Sequence, residues 1–516
     1  MNFGTKSYLA CSIAAVLGTG SANALTPASG APQFTIYIGG GSAEPQPVQV
    51  AVCKLLTNVD SYTDAAGGAE SGDYKVLYGS ATAQIGTTGT TIPSGATVMV
   101  MYKFNGGSYV NGAIPQSNSG SNLTYPTNAT SGTSGPLGTA AASTGLAAGS
   151  ACSTTNNGAP TFSYTAGTTT SNLPDFGITD LEPAAFTGFN IPTTVTAVPS
   201  TSITTAHIYD LVEGVAVTQA LYAVKTRWTS QEVAQILSGQ ITDWSLLSGD
   251  NGAPLANITG HTGNPVILID RNVGSGTKAA GTSFFLNYPG LSGAGLAVEP
   301  ESVSGLSGGA TGCTATYTCY SPSASATFST TFNGYQDIQD SSSAAVVADL
   351  GKANAAGQYA IAILSADNAP YANQVSGVNT YDFVKINGEA MDLSSGLDNI
   401  NGSGTGAFSA YDNVITGAYG FFYQVAFNTR PGYLSGTTAN VNFTAAMKTQ
   451  LSADALAGAF SGSHFPTAAP GLVIDATNDT SSATTGVTIA TRNGVSSGPL
   501  KLIKYGVTIT QADDPL

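Results

Sequence analysis

Charge is what this sequence has least of. Only 9% of its 516 residues are Asp, Glu, Lys or Arg, and the basic ones are the rarer, 15 against 30 acidic. The resulting net −15 repels nucleic acid and anionic membranes at long range, so nucleic-acid binding is set aside. Cysteine (5) and histidine (3) are few, and there is no Cys-x2-Cys pair. His207, His261 and His464 lie far apart without partners at ligand spacing, so no metal signature exists and no cofactor is implied. Each reads as a surface or internally satisfied histidine. No fixed repeat period appears, which argues against a solenoid or fibrous array. After the N-terminal segment no apolar run is long enough to span a bilayer.

The N-terminus has the features of a secretory signal. Lys6 supplies a weak positive region, Tyr8 to Thr19 an apolar one, and Ala22-Asn23-Ala24 a small-residue cleavage site. Cys11 lies in the apolar region without a lipobox, which argues against a lipid anchor. Cleavage after residue 24 of 516 leaves 492 residues, too many for one core, so two or more lobes are expected. Four cysteines remain, Cys53, Cys152, Cys313 and Cys319. An even number in an exported chain suggests disulfides in one of three connectivities. The preferred one closes a short loop, Cys313–Cys319, and a long one, Cys53–Cys152. With so little charge, solubility rests on Gly, Ser, Thr and Asn, and the acidic excess also opposes an anionic ligand. Any anion has to be held by strong local donors.

One stretch offers such donors. Val266-Ile-Leu-Ile-Asp270 reads as a buried strand, Gly274-Ser-Gly276 breaks it, and a helix follows from Lys278 to Tyr288. A strand feeding a glycine turn into a helix start leaves backbone N–H groups pointing outward at the positive end of the helix dipole. Ser275 and Thr277 add hydroxyl donors, and Arg271 a charged fork. The plainer alternative pairs Arg271 with Asp270 or a neighbouring carboxylate. The P-loop spacing is absent.

The same device occurs earlier. Phe34–Ile38 is a strand, Gly39-Gly-Gly41-Ser42-Ala43-Glu44 a turn, and Pro45 and Pro47 suit the first turn of a helix that continues through Val48 to Thr57. Val98–Tyr102 is a strand running towards Ser108. Gln116 to Asn172 reads as a long Gly/Ser/Thr/Asn-rich insertion, and Leu291 to Asn333 as a second. Pro174–Asp180 is a short strand ending in an acid, and Tyr209–Val224 gives strands crossing between lobes. Thr229-Ser-Gln-Glu232 has the form of a capping box, and Trp244 reads as a core anchor. Helices are expected at Ser343–Ala353 and Phe443–Leu451, strands at Tyr359–Ser365 and Phe421–Phe427. This alternation argues an α/β fold with mixed or parallel sheets.

With these pieces in order, the chain resembles the phosphate-specific periplasmic binding proteins of ABC transporters, and locally their secreted DING-type relatives. The resemblance is carried by Arg271-x3-Ser275-Gly276-Thr277, by Ser238-Gly-Gln-Ile-Thr-Asp-Trp244, by Lys385-Ile-Asn-Gly388 and by Asp180 in Phe176-Gly-Ile-Thr-Asp180. Ser108 matches the family's early serine, with Gly107 as the alternative. The resemblance implies a two-lobed, hinged venus-flytrap fold of the type II class. Residues 25–212 and 413–516 would form lobe I, with insertion 116–172, and residues 213–412 lobe II, with insertion 291–333. It also implies a ligand set of Ser42, Ala43, Glu44, Ser108 and Asp180 from the first lobe and Arg271, Ser275, Gly276 and Thr277 from the second. The implied ligand is phosphate or a similar small oxyanion, the partner a membrane permease, the location periplasmic or extracellular, and the state monomeric.

Two positions depart from the family. Its Gly-Ala-Thr-Phe-Pro is here Gly41-Ser-Ala-Glu-Pro45, which places a carboxylate where none is usual, and Val273 stands where many relatives carry an acid. Asp180 would select phosphate by accepting a hydrogen bond from a protonated oxygen that sulfate lacks; alternatively it caps the turn before Pro183. The non-catalytic binding reading competes with a secreted surface or interaction protein built on the same fold. It also competes with a secreted phosphatase, which needs a metal cluster or a nucleophile with a positioned base.

Overall fold

The computed structural model describes residues 32–64, 74–104, 107–118, 120–126, 161–162, 169–186, 190–192, 195–198, 202–255, 264–286, 318–320, 335–366, 368, 370, 378–391, 419–456 and 472–473. The expected signal segment, most of both insertions, and Cys152 and Cys313 lie outside them. So do both expected disulfides, since each involves one of those cysteines. Among the described residues no disulfide is present.

The chain begins with β1 (Phe34–Gly40), α1 (Pro45–Leu55), β2 (Leu56–Asp64), β3 (Tyr74–Ala81) and β4 (Thr97–Lys103). Short strands follow, β5 (Leu123–Pro126), β6 (Thr161–Phe162), β7 (Thr169–Asn172) and β8 (Phe176–Thr179), and then the long β9 (Thr204–Thr218). Next come α2 (Gln219–Tyr222), β10 (Arg227–Trp228), α3 (Ser230–Leu237), β11 (Ile267–Arg271) and α4 (Gly276–Leu286). β12 (Thr318–Tyr320), β13 (Gln336–Asp340), α5 (Ser343–Ala355), β14 (Ile361–Ser365), β15 (Tyr381–Phe383) and β16 (Lys385–Ile386) precede β17 (Phe422–Thr429), α6 (Ala439–Leu456) and β18 (Leu472–Val473).

Local chemistry accounts for these boundaries. Pro at the first turn of α1 loses no helical hydrogen bond, because those N–H groups have no intrahelical acceptor. The capping box of α3 is complete: the Thr229 hydroxyl accepts from the Glu232 amide, and the Glu232 carboxylate accepts from the Thr229 amide. Trp244 is buried and donates through Nε1 to the Tyr359 carbonyl at 3.2 Å. Tyr209–Val224 is not strand throughout: β9 stops at Thr218, and α2 turns the chain at Gln219.

Among the described residues fourteen strands form one mixed sheet, in the order β12-β13-β11-β14-β9-β17-β8-β1-β4-β3-β2-β6, with β15 and β18 also on β9. Two runs in it are parallel: β12, β13, β11 and β14, and then β8, β1 and β4. Antiparallel pairs of β9 with β14 and β17, and of β17 with β8, separate them. Ile267, Leu268 and Ile269 of β11 are buried, and each such side chain contributes about 1.5–3 kcal/mol. One hydrophobic core surrounds β11, β14, α3 and α4, and a second surrounds β1, β4, β8, α1 and α6. β9, at 15 residues, reaches both.

Beside β11 lies a buried ionic cluster. Lys278 of α4 pairs with Asp270, and Gln339 donates to Asp337 at 3.1 Å. Burial pushes the Asp337 carboxyl up to about 6, against the pull of Lys278 and with the push of Asp270. A carboxyl raised from 3.8 in the unfolded chain binds more protons when folded, so its contribution to stability falls as pH rises between those values. Asp337→Asn removes that dependence. The variant's advantage over the parent should grow by on the order of 3 kcal/mol from about pH 4 to about pH 7, read by urea unfolding. A gap that does not change with pH contradicts it.

Candidate functional site

Within each parallel run the strands aim their carboxyl ends the same way, where ligands sit in open α/β sheets, and the antiparallel pairings between the runs leave the two runs pointing in opposite senses. Here five such ends supply one cluster. β1 ends before Ser42, β4 before Ser108, β8 before Asp180, β11 at Arg271 and β13 before Ser341 to Ser343. Three helices begin in it: α1 just after Glu44, α4 at Gly276 and α5 at Ser343. The positive ends of three helix dipoles therefore meet beside a buried guanidinium.

Arg271 is 3% exposed. Its Nη1 donates to Ser343 Oγ at 2.9 Å and to Ser42 Oγ at 3.3 Å, and its Nη2 donates to the Ser341 carbonyl at 3.1 Å. All three acceptors are neutral. The alternative pairing with Asp270 does not occur: that carboxylate accepts from the Arg271 backbone amide at 2.7 Å and pairs with Lys278. Burial lowers the Arg271 pKa, and the fields of Asp180, Asp340, Asp270 and Glu213 oppose the shift. Ser42 Oγ also lies 3.3 Å from Ser343 Oγ, which ties the α1 turn to the start of α5.

Asp180 sits between the α1 turn and the α4 turn. A Cβ added at Gly41 would stand 2.3 Å from Asp180 Oδ1, 2.9 Å from Glu44 Oε2 and 3.0 Å from Ser108 Cβ. One added at Gly276 would stand 2.2 Å from Asp180 Oδ2. Glycine at both positions lets the backbone reach the carboxylate. The α4 turn is closed against Ser108 by the Tyr109 amide, which donates to the Gly274 carbonyl at 3.0 Å. Among the buried polar atoms of the described residues that have no hydrogen-bond partner, four belong to this cluster: Ser108 Oγ, Asp180 Oδ1, Arg271 Nε and Ser275 Oγ. Buried polar atoms are normally satisfied, so four together at one crevice mark a place where a polar ligand belongs.

Of the residues expected from the sequence, Ser42, Glu44, Ser108, Asp180, Arg271 and Gly276 are linked by these contacts. Ser275 and Thr277 are buried in the same α4 turn, and Ala43 is buried between Ser42 and Glu44. Gly107 is next to Ser108 in the cluster, but it is the serine that brings a side chain. The stretches Ser238–Trp244 and Lys385–Gly388 belong to the scaffold, following α3 and pairing with β10. Three participants were not expected. Tyr102 donates to the Gly41 carbonyl at 2.6 Å and to Glu44 Oε2 at 3.2 Å, and Ser341 and Ser343 hold Arg271. The Ser341-Ser-Ser343 run before a helix was the available signal for the last two; Tyr102 had read only as a strand residue. Burial, then Glu44, Asp180 and Tyr209, raise the Tyr102 pKa well above its usual value, so its hydroxyl remains a donor. Among the described residues no group of three or more His, Cys, Asp or Glu is placed to hold a metal ion, and no helix is long and apolar enough to cross a membrane.

No family model matches the chain, and no curated protein matches it. Solved structures do. One from Clostridium perfringens, described as a phosphate ABC transporter substrate-binding protein with bound phosphate, is 14% identical over 53% of this chain and 72% of its own, with a TM-score of 0.29. An ABC-type phosphate transport receptor from Vibrio cholerae is 13% identical over 53% and 73%, with a TM-score of 0.27. A phosphate binding protein from Stenotrophomonas maltophilia is 16% identical over 49% and 69%, with a TM-score of 0.23. Similarity this low leaves any assignment to rest on the site itself.

The close approach at Gly276 gives a direct prediction. Gly276→Ala places a methyl against the Asp180 carboxylate, so α4 or Asp180 must move, at a cost of about 1–3 kcal/mol in thermal or chemical unfolding. Unchanged stability with an unmoved Asp180 in the variant's structure contradicts the packing described.

Proposed function

We propose that this chain is an extracytoplasmic solute-binding protein that holds phosphate or a related small oxyanion between two α/β lobes. The observation that carries the reading is the set of four partnerless buried atoms, on Ser108, Asp180, Arg271 and Ser275, in one crevice of helix N-termini. In this reading β9 and β17 connect the lobes: β1, β4 and β8 bring Ser42, Ala43, Glu44, Ser108 and Asp180, and β11 with α4 brings Arg271, Ser275, Gly276 and Thr277. Closing the crevice would remove the anion from water, and each lost hydration contact would be replaced by a fixed donor. Buried donors of this kind hold an anion locally, and that local hold is what the net −15 of the chain requires.

Asp180 supplies the selectivity. Its Oδ1 accepts a hydrogen bond, which a phosphate oxygen still carrying a proton can give and a sulfate oxygen cannot. A carboxylate facing a fully ionised oxyanion leaves two acceptors in contact with nothing between them, a costly arrangement in a buried site. The protein then acts upstream of a membrane permease, as a monomer, in the periplasm or outside the cell. Nothing in this chemistry breaks a bond, so the reading is of a binding protein rather than a phosphatase.

Calorimetric titration with phosphate, arsenate, sulfate and a phosphomonoester tests it. Phosphate and arsenate are expected to bind and sulfate not. Arg271→Ala should weaken phosphate by at least about 30-fold, since truncating one partner of a buried charged pair costs about 2–5 kcal/mol. Silence across the panel would sink the oxyanion reading and leave a surface or interaction protein on the same scaffold.

A further inference from the structure

Resting on the phosphate reading above, we infer that Glu44 is a second proton-accepting ligand, so that the site takes phosphate with two protons at the interface and binding is coupled to proton uptake. The observation is geometric. Asp180 Oδ1 and Glu44 Oε2 lie within 3 Å of the same point beside Gly41, and Ser108 Cβ is 3.0 Å from that point. Both carboxyl groups are buried, Glu44 at 1% and Asp180 at 4% exposure. Glu44 stands at the N-cap position of α1, where its side chain makes no capping hydrogen bond. Tyr102 has a single hydroxyl proton, and the Gly41 carbonyl at 2.6 Å competes for it with Glu44 Oε2 at 3.2 Å.

Two carboxyl oxygens facing one phosphate require two protons, because oxygen acceptors in hydrogen-bond contact must share one between each pair. Dihydrogen phosphate brings both. Hydrogen phosphate brings one, and the complex then takes the other from solvent. The positive groups around the pair favour an anion there without supplying those protons: Arg271 from β11 and the starts of α1, α4 and α5. The other ionisable groups in this field are Tyr102 of β4 and Tyr209 of β9, with Asp340, Asp270 and Glu213 around Arg271. A zwitterionic phosphoryl compound could meet the same requirement through an ammonium donor, and it differs from phosphate by needing no proton from solvent.

The test is calorimetry of the full chain with inorganic phosphate at about pH 8, above the second ionisation of phosphoryl groups, in two buffers of different ionisation enthalpy. The parent protein should take up about one proton per phosphate, and its affinity for total phosphate should fall about tenfold per pH unit above that ionisation. Glu44→Gln provides its own N–H donor at nearly the same shape, so the uptake should vanish and the affinity should become flat across that range. Sulfate adds a second readout: Asp180→Asn alone should still reject it, and only Glu44→Gln with Asp180→Asn should accept it. Proton-free binding by the parent overturns the inference while leaving the phosphate reading intact, as does sulfate binding by Asp180→Asn alone. No phosphate binding by the parent at any pH overturns both. An unfolding scan of each variant separates lost binding from lost fold, and Ser108→Ala, which removes a hydroxyl hydrogen-bonded to neither carboxyl, should weaken phosphate without changing the proton count.

Discussion

A guanidinium buried to 3% exposure and held by neutral oxygens is the constraint to which the rest of this structure answers. Taking a full charge out of water costs several kcal/mol unless hydrogen bonds and opposite charge replace hydration. Ser42, Ser341 and Ser343 satisfy three of the Arg271 contacts and fix its direction. Its Nε remains, together with the fields of Asp180, Asp340, Asp270 and Glu213. Three helix N-termini beside it raise the local potential further. In the proposed reading an anion completes this place, and the carboxylate of Asp180 discriminates among anions.

The sheet explains how residues 229 positions apart, Ser42 and Arg271, come to touch. Ser42 lies just past the carboxyl end of β1 and Arg271 at that of β11, one in each parallel run, and the antiparallel strands between the runs are β9 and β17. β9 pairs with β14 through its second half and with β17 through its first. The hydrophobic cores on the two sides are separate clusters, and residues of both adjoin the site: Ala43 from one, Tyr109 and Leu181 from the other.

Much of this was legible in the sequence because the two site turns are written in local chemistry. A β-branched run, a glycine break and a helix start define both Gly41–Pro45 and Arg271–Thr277, and short-range rules read them. The capping box at Thr229 and the strand ending at Asp180 were legible for the same reason. Long-range partnerships were not. Tyr102 has the pattern of an ordinary buried strand residue, and only the pairing of β4 with β1 places its hydroxyl under Gly41. Ser343 carries no mark that Arg271, 72 residues away, will select it. The alternative pairing of Arg271 with Asp270 does not form because adjacent strand residues point to opposite faces of a sheet, and Lys278 meets the aspartate instead. Glu44 was legible as an anomaly, but its neighbourhood with Asp180 depends on the fold.

The central claim is that the partnerless atoms at Ser108, Asp180, Arg271 and Ser275 surround one anion. A crystal structure of the protein at saturating phosphate tests it most directly. The account predicts a single phosphate bridging Arg271 Nε, Ser108 Oγ and Ser275 Oγ, with one of its oxygens against Asp180 Oδ1. Phosphate bound elsewhere, or those four atoms satisfied by water or by other side chains with no anion among them, would contradict it.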